Sequence, residues 1–232
     1  MKADLLARLQ AARAAKRPVA LLTRLPDGAQ LLYPEDAAAP ELAAEAAAAL
    51  RDDASRTVTV DNATWFIASH NPPLRLIVIG AVHIAQALVP MAAGLGFAVT
   101  VVDPRRAFAT EERMGGRVTI STEWPDEAMA ALAPDSRTAV VTLTHDPKLD
   151  DPALEVALRS AAFYVGSLGS RRTHAKRVAR LTEAGLTEAE IARIHAPVGL
   201  DIGAVTAPEI AVSILAQIVA SRRGGPKKKM DA

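Results

Sequence analysis

The chain has 232 residues, half of them hydrophobic and 23% charged, which suits one folded domain or one and a half. Its 27 Lys and Arg residues nearly balance its 26 Asp and Glu residues, which excludes nucleic-acid binding through bulk positive charge. The absence of cysteine excludes disulfides, zinc–thiolate sites and iron–sulfur clusters on this chain. No run of 18 apolar residues occurs and the N-terminus is too charged for a signal peptide, so we expect a cytoplasmic protein without a membrane span.

Residues 1–71 are predicted to form a small α+β unit. A helix over 3–16 places four apolar residues on one face, namely Leu5, Leu6, Leu9 and Ala12. Two hairpins are expected, VALLT with QLLY and TVTV (57–60) with WFIA (65–68), because turn residues separate each pair. An Ala-rich helix at 41–50 lies between the hairpins, and Pro72-Pro73 marks a boundary.

Residues 72–223 show short apolar runs that alternate with helical stretches. The strand candidates are 76–79, 98–102, 117–120, 138–143 and 162–165, and the helical windows include 83–95, 126–132 and 152–160. This alternation predicts an α/β fold with a Rossmann-like, doubly wound parallel sheet. The C-terminal third is predicted to be helical, with capping boxes at 187–190 and 206–209. Residues 224–232 are predicted to form a flexible basic tail.

The turn after the first strand of this sheet is a partial dinucleotide fingerprint. Residues 80–85 match G-x-G-x-x-G/A at the first and third positions, but Val82 replaces the second glycine and would crowd a pyrophosphate. Asp103 ends the next strand, where a ribose-binding acid is expected. The loop therefore indicates a Rossmann scaffold whose first turn is unused for a dinucleotide, or binds one differently.

Two other loops at strand or helix ends carry polar residues, and each has two interpretations. His145 and Asp146 follow strand 138–143, where they either contact a ligand or form a turn into a helix opened at Asp151-Pro152. His195 and Asp201 lie in a loop with two glycines between two helices, which is either a tight structural loop or a ligand loop.

The most informative stretch, residues 166–172, follows the strand candidate AFYV. A glycine-rich turn that opens a helix presents free backbone N–H groups, and its serines and arginines add donors and charge. The stretch therefore predicts an anion or phosphate cradle, although it lacks the ending of a Walker motif. The later basic residues Lys176, Arg177 and Arg180 are expected on a solvated helix face.

Several segments together carry a family resemblance. In order, GAVHIAQAL, THDPKLDDPAL, YVGSLGSRRTHAKR and IHAPVGLDIGAVTAPEIAVSILAQIVASRRG resemble the XdhC/CoxI family, over about residues 74–223. Members of that family are accessory proteins for xanthine dehydrogenase and related molybdenum hydroxylases. Val82 stands where the family commonly has glycine, and residues 1–71 lack its Gly-Gly-Cys-type loop.

The resemblance implies a carrier and chaperone for the molybdenum cofactor, either molybdopterin or its cytosine dinucleotide form, and no catalytic role. The implied partners are a molybdenum hydroxylase such as xanthine dehydrogenase, a cysteine desulfurase that supplies sulfur, and a second copy in a homodimer. A chain without cysteine fits a carrier that works beside a desulfurase, because it cannot itself supply the sulfur.

Under this hypothesis the cofactor-binding residues lie at the carboxyl edge of the sheet. They are Gly80, His83, Asp103, His145, Asp146, Gly166, Ser167, Gly169, Ser170, Arg171, Arg172, His195 and Asp201. Two alternatives remain open from the sequence: an NAD(P)-dependent oxidoreductase with an altered fingerprint, and a docking module for the hydroxylase that holds no ligand.

Overall fold

The structure is a computed structural model that describes residues 2–107, 110–115 and 118–225. It divides into two compact units, Met1–Pro72 and Pro73–Ala232. None of the helices in the described part of the chain has the length and apolar character of a membrane span. The predicted basic tail at 224–232 lies outside the described residues from 226 onward.

The N-terminal unit is a four-stranded antiparallel sheet with two helices. Its elements are α1 (Ala3–Ala14), β1 (Val19–Arg24), β2 (Gln30–Tyr33), α2 (Pro40–Asp52), β3 (Arg56–Val60) and β4 (Ala63–His70). The strand order is β2-β1-β4-β3, so both predicted hairpins are confirmed. The sheet and α2 enclose a core of Ala, Leu, Val and Ile side chains.

The apolar face predicted for α1 is confirmed at three of its four positions. Leu5, Leu9 and Ala12 are buried at i, i+4 and i+7, which is the spacing of one helical stripe. Leu6 is 39% exposed, so its assignment to this face was wrong. One residue corresponds to about 100° of helix rotation, which turns Leu6 away from the stripe.

The second unit is a parallel six-stranded sheet between helices. Its elements are β5 (Arg75–Ile79), α3 (His83–Gly94), β6 (Ala98–Val102), α4 (Glu111–Met114), β7 (Thr119–Ser121), α5 (Pro125–Leu132), β8 (Thr138–Thr142), α6 (Pro147–Arg159), β9 (Tyr164–Ser167), α7 (Arg171–Glu183), α8 (Glu188–Ile191), β10 (Ile194–His195) and α9 (Ala207–Arg223). The strand order is β10-β9-β8-β5-β6-β7. When the six strands are renumbered 1 to 6 from β5 and the sheet is read from the β7 edge, the order is 3-2-1-4-5-6, which is the Rossmann order. The predicted doubly wound sheet is therefore confirmed.

Both faces of this sheet are covered, as a parallel sheet requires. Alternate residues of β5 divide between the two sides: Leu76 and Val78 belong to the core beneath α3 and α9, and Ile77 and Ile79 to the core beneath α5 and α6. The aromatic content is only 3%, and Ala, Val, Leu and Ile make up most of both cores. The sheet is thereby a rigid base for the loops at its carboxyl edge.

Several predicted boundaries in this unit were wrong. The helix expected at 152–160 begins at Pro147, with Pro152 inside it, because Asp146 caps the helix. The strand expected at 162–165 is β9, two residues further on. The two-residue strand β10 falls where only a loop was expected. The strand expected at 117–120 appears as β7, and residue 117 lies outside the described residues.

Both capping boxes predicted in the C-terminal third are confirmed. Thr187 caps α8 together with Glu190, and Thr206 caps α9 together with Glu209. In each pair the threonine hydroxyl accepts from the glutamate N–H while the glutamate side chain accepts from the threonine N–H, so donors at the helix start are satisfied. These caps fix where α9 begins, and hence where the preceding loop at 196–206 must end.

Candidate ligand-binding site

Gly166 and Ser167 belong to strand β9 and are buried, so the glycine-rich turn is shorter than predicted. Ser167 pairs with Thr142 of β8, and their hydroxyl oxygens lie 2.5 Å apart. A Cβ on Gly166 would lie 2.6 Å from Val198 Cγ2 and 2.7 Å from the Tyr164 hydroxyl. Gly166 is therefore required for close packing, and neither residue presents a side chain at the mouth of the loop.

The turn itself consists of Leu168, Gly169 and Ser170. Gly169 has φ +136°, a conformation that side-chain-bearing residues rarely adopt. Ser170 is the N-cap of α7, and its hydroxyl oxygen accepts a hydrogen bond from the Thr173 N–H at 3.2 Å. This cap uses one of the serine acceptors, while the first N–H groups of α7 keep their favourable orientation towards an anion.

Arg171 lies beside a cavity of about 420 Å³, here called the Arg171 cavity. Leu168 and Arg171 line one side, residues 197–204 line the opposite side, and Ile210 and Ser213 of α9 complete it. The lining combines one guanidinium and the Asp201 carboxylate with mainly apolar side chains and exposed backbone. Pockets of this size and character accept small organic molecules.

Arg172 does not line that cavity. It faces a second cavity of about 240 Å³, here called the Arg172 cavity, which His145 also lines, together with residues of α6 and α7. The two arginines were predicted to form one cradle, and the structure brings them to two different cavities. Both side chains are exposed, so either can reach a ligand without a change in the fold.

His195 lines neither the Arg171 cavity nor the Arg172 cavity, although the loop that follows it lines the Arg171 cavity. Its ring stacks on Tyr164 with centroids 4.7 Å apart and planes 12° from parallel. Burial lowers the pKa of His195, which favours the neutral ring. The following bond, Ala196-Pro197, is cis and leads the chain into the cavity wall.

Gln217 of α9 fixes the same loop and was missed by sequence reasoning. Its Oε1 accepts from the Tyr164 hydroxyl at 2.6 Å and from the Gly199 N–H at 2.8 Å. One amide oxygen therefore connects strand β9, the loop and helix α9. The only signal in the sequence is a single amide within the apolar run IAVSILAQIVA.

The first Rossmann turn lies elsewhere along the sheet edge. A Cβ on Gly80 would lie 2.5 Å from Thr144 Cγ2, so glycine is required for the turns after β5 and β8 to approach. Val82 is the N-cap residue of α3, and His83 begins that helix with an exposed side chain. These residues do not line the two cavities described above.

Asp103 is fully buried and its carboxylate is occupied by protein donors. Oδ2 accepts from the Ala81 N–H at 2.8 Å, and Arg105 donates to both carboxylate oxygens at 2.8 and 2.9 Å. Burial raises the pKa of Asp103, but the hydrogen bonds from Arg105 and Ala81 outweigh it and lower the pKa overall. A ribose hydroxyl would have to displace these donors.

The His145–Asp146 turn is built around a helix start. Asp146 Oδ1 accepts from the Lys148 N–H at 3.0 Å as the N-cap of α6. Exposed His145 has φ +63° and lines the Arg172 cavity. The sequence left two interpretations of this turn, ligand contact and a turn into a helix. Asp146 acts as a helix cap, which agrees with the second, whereas the exposed side chain of His145 is available to a ligand.

Arg177 was wrongly expected on a solvated face, because it is 2% exposed. Its Nη2 donates to the Leu168 carbonyl at 2.8 Å and so supports the turn from behind. Arg180 also differs from the expectation, since it pairs with Asp151 at 2.5 and 3.1 Å. Lys176 is exposed, as expected.

Within the described residues no group of three or more His, Asp or Glu side chains is placed to hold a metal ion. The chain also lacks thiolates. The two cavities at the carboxyl edge present guanidinium, carboxylate, backbone and apolar groups.

A Rossmann-ordered parallel sheet with a cavity beyond its carboxyl edge places the chain among the doubly wound α/β proteins, a class in which ligands bind at this edge. More specifically, the chain belongs to the XdhC family: residues 76–218 match the XdhC Rossmann domain. This match confirms the resemblance noted in the sequence.

The chain is also similar in sequence to three proteins from Escherichia coli and Bacillus subtilis. Escherichia coli PaoD, a molybdenum cofactor insertion chaperone, is 32% identical over 72% of this chain and 46% of PaoD. A Bacillus subtilis protein named as a probable subunit of xanthine dehydrogenase is 32% identical over 68% of this chain and 46% of that protein. Uncharacterized protein YqeB of Escherichia coli is 36% identical over 69% of this chain and 30% of YqeB. The chain thus spans less than half the length of these relatives.

The fold is also similar to a solved structure. A crystal structure of a Bacillus halodurans protein described as a xanthine dehydrogenase superposes with a TM-score of 0.70. The alignment covers 99% of this chain and 66% of that one, at 22% sequence identity. At this identity the comparison establishes the shared fold.

Proposed function

We propose that this chain is an accessory protein that holds the molybdenum cofactor and helps to insert it into a xanthine dehydrogenase-type hydroxylase. The observation that carries the proposal is the Arg171 cavity, which lies at the carboxyl edge of an XdhC Rossmann domain. The name of PaoD, a molybdenum cofactor insertion chaperone, supports the choice of ligand.

The lining of the Arg171 cavity fits the organic part of this cargo. The Arg171 guanidinium would hold a phosphate group, assisted by the N–H groups at the start of α7. Asp201 would accept hydrogen bonds from the amino-pyrimidine edge of the pterin. Apolar side chains such as Leu168 and Ile202 would pack on the faces of the ring system. Neither nucleotide form of the cofactor is favoured by these contacts.

In this role the chain recognises and positions its cargo and does not catalyse its chemistry. The sulfur for sulfuration would come from a cysteine desulfurase, because this chain has no cysteine. The hydroxylase and a second copy of the chain complete the proposed set of partners, in the cytoplasm. Arg171 and the 197–204 loop would hold the cofactor at the sheet edge until the hydroxylase accepts it.

Equilibrium titration with freshly released molybdenum cofactor tests the proposal, with bound pterin measured after ultrafiltration. The wild-type chain should bind saturably. Arg171→Ala should weaken binding about tenfold, the loss expected for one charge-assisted hydrogen bond. Arg172→Ala is the matched control, since it removes the adjacent arginine and should leave the affinity unchanged.

A parallel titration with NADPH distinguishes the carrier proposal from the alternative function, an NAD(P)-dependent oxidoreductase. Binding of NADPH without binding of the molybdenum cofactor would contradict the carrier proposal. Equal cofactor affinities of the wild-type chain and Arg171→Ala would contradict the assignment of the Arg171 cavity. Failure to bind either ligand, with retained activation of a hydroxylase, would favour a docking module.

A further inference from the structure

The Arg172 cavity is a separate polar site between helices α6 and α7. Its volume is about 240 Å³, and α6 contributes Asp150 and Asp151 while α7 contributes Arg172, Lys176, Arg177 and Arg180. The proposed cofactor role makes no use of it. Two of the side chains that line it are buried and incompletely hydrogen-bonded, which is unusual for charged groups in a folded protein.

Arg177 is the first of these buried groups. It is 2% exposed, and its Nη2 donates to the Leu168 carbonyl. Its Nε and Nη1 have no hydrogen-bond partner among the described residues. Buried guanidinium donors without an acceptor are destabilising, so an acceptor group placed beside them would be bound favourably.

Asp150 is the second buried group, also 2% exposed. Its Oδ1 accepts from the Thr144 hydroxyl at 2.7 Å and from the Thr144 N–H at 3.3 Å. Its Oδ2 has no hydrogen-bond partner in the described part of the chain. Burial raises the pKa of Asp150 and lowers the pKa of Arg177, and the attraction between their opposite charges offsets these shifts only in part.

The positive charges of the Arg172 cavity exceed the negative ones. Arg180 and Asp151 form a two-point ion pair and neutralise each other. Arg172, Lys176 and Arg177 then face Asp150 as the remaining carboxylate of the lining. The N-termini of two helices, α6 and α7, also border the cavity and favour an anion.

We propose that the Arg172 cavity binds a phosphate-type oxyanion that keeps one hydroxyl group. Its oxygens would accept hydrogen bonds from Arg177 Nε and Nη1 and from the exposed Arg172 and Lys176. Its hydroxyl would donate to Asp150 Oδ2, which explains why a carboxylate belongs to an anion site. The same chemistry is offered by free phosphate and by the phosphate of a monoester, and the site does not depend on the proposed cofactor role.

Isothermal titration with inorganic phosphate tests this site on the full chain. Saturable binding is expected, with affinity reduced about tenfold in Arg172→Ala and in Lys176→Ala. Both residues are exposed, so these variants should fold, which circular dichroism checks. Arg159→Ala is the matched control: Arg159 is an exposed arginine of α6 that lines neither cavity, so this variant should bind phosphate with wild-type affinity. Asp150→Asn should also weaken binding, because an amide nitrogen cannot accept the phosphate hydroxyl proton.

The same variants titrated with cytidine 5′-monophosphate identify the source of the anion. Tighter binding of the ester than of phosphate, with the same dependence on Arg172 and Lys176, would assign the site to the phosphate of a larger ligand. Binding of phosphate alone would assign it to a free oxyanion. Absence of saturable binding of both, or phosphate binding that depends on Arg171 and not on Arg172, would overturn the proposal. Cofactor binding that still requires Arg171 would survive that result.

Discussion

Arg171 and Arg172 are adjacent in the first turn of α7, yet they line different cavities. Successive residues of a helix point about 100° apart, so one arginine faces the 197–204 loop and the other faces α6. The sequence predicted a single anion site for Arg171 and Arg172, whereas in the structure each arginine lines its own cavity. This separation allows each site to be disabled by a single exposed substitution while the other is retained.

The tight packing at Gly166 gives a first stability prediction. Gly166→Ala should lower the free energy of unfolding by about 1–3 kcal/mol, because the new Cβ would meet Val198 and the Tyr164 hydroxyl. Gly94→Ala is the matched control: its Cβ has no neighbour within 4 Å, and alanine is favoured in a helix by up to about 1 kcal/mol. Urea unfolding followed by circular dichroism measures both. Equal destabilisation by the two variants would contradict the packing argument.

The hydrogen bonds accepted by Gln217 give a second stability prediction. Gln217→Leu removes the acceptor of both the Tyr164 hydroxyl and the Gly199 N–H, and should destabilise the chain by about 1–3 kcal/mol. Tyr164→Phe removes one of the two donors and should be milder. The double variant should be less destabilised than the sum of the two, since the hydroxyl is no longer left without a partner. Additive losses would show that the shared hydrogen bond contributes little.

The order of helices and strands along the chain could be predicted from the sequence. Several of the residues at which strands and helices begin or end near the candidate site could not. Apolar runs such as LIVI and TAVVTL predicted buried parallel strands because both faces of the sheet are covered. Gly166 and Ser167 were assigned to a turn because small polar residues favour turns, and only their pairing with β8 and β10 extends the strand.

Arg177 shows why the second cavity could not be predicted. Arginine is almost never fully buried, so a basic run on an amphipathic helix is normally assigned to solvent. Arg177 and Leu181 lie four residues apart and are both buried on the face that packs inward. Burial of the guanidinium depends on the β9–α7 turn, nine residues earlier at Leu168, and on residues of α6, which are more distant in sequence.

The buried Asp103 carboxylate predicts an acid-dependent loss of stability. The pKa of Asp103 is below its ordinary value of 3.8 in the folded chain, so its contribution is present above pH 3.8 and is lost as pH falls through the lowered pKa. Asp103→Asn should cost about 1–3 kcal/mol at neutral pH and progressively less in acid. Urea unfolding of both chains between neutral pH and acid measures this. A difference independent of pH would contradict the ionised-carboxylate argument.

The stacked His195 ring predicts pH dependence in a different range. Burial places the pKa of His195 below its ordinary value of 6.5, so the unfolded chain binds the proton more readily and stability falls as pH drops below 6.5. His195→Phe keeps an aromatic ring against Tyr164 without a titrating group, so the decline below pH 6.5 should be shallower. It should not vanish, because burial also lowers the pKa of His174 in the same unit. Unfolding curves recorded from about pH 5 to pH 8 measure the slope. An unchanged slope in His195→Phe would contradict a pKa of His195 that burial holds below 6.5.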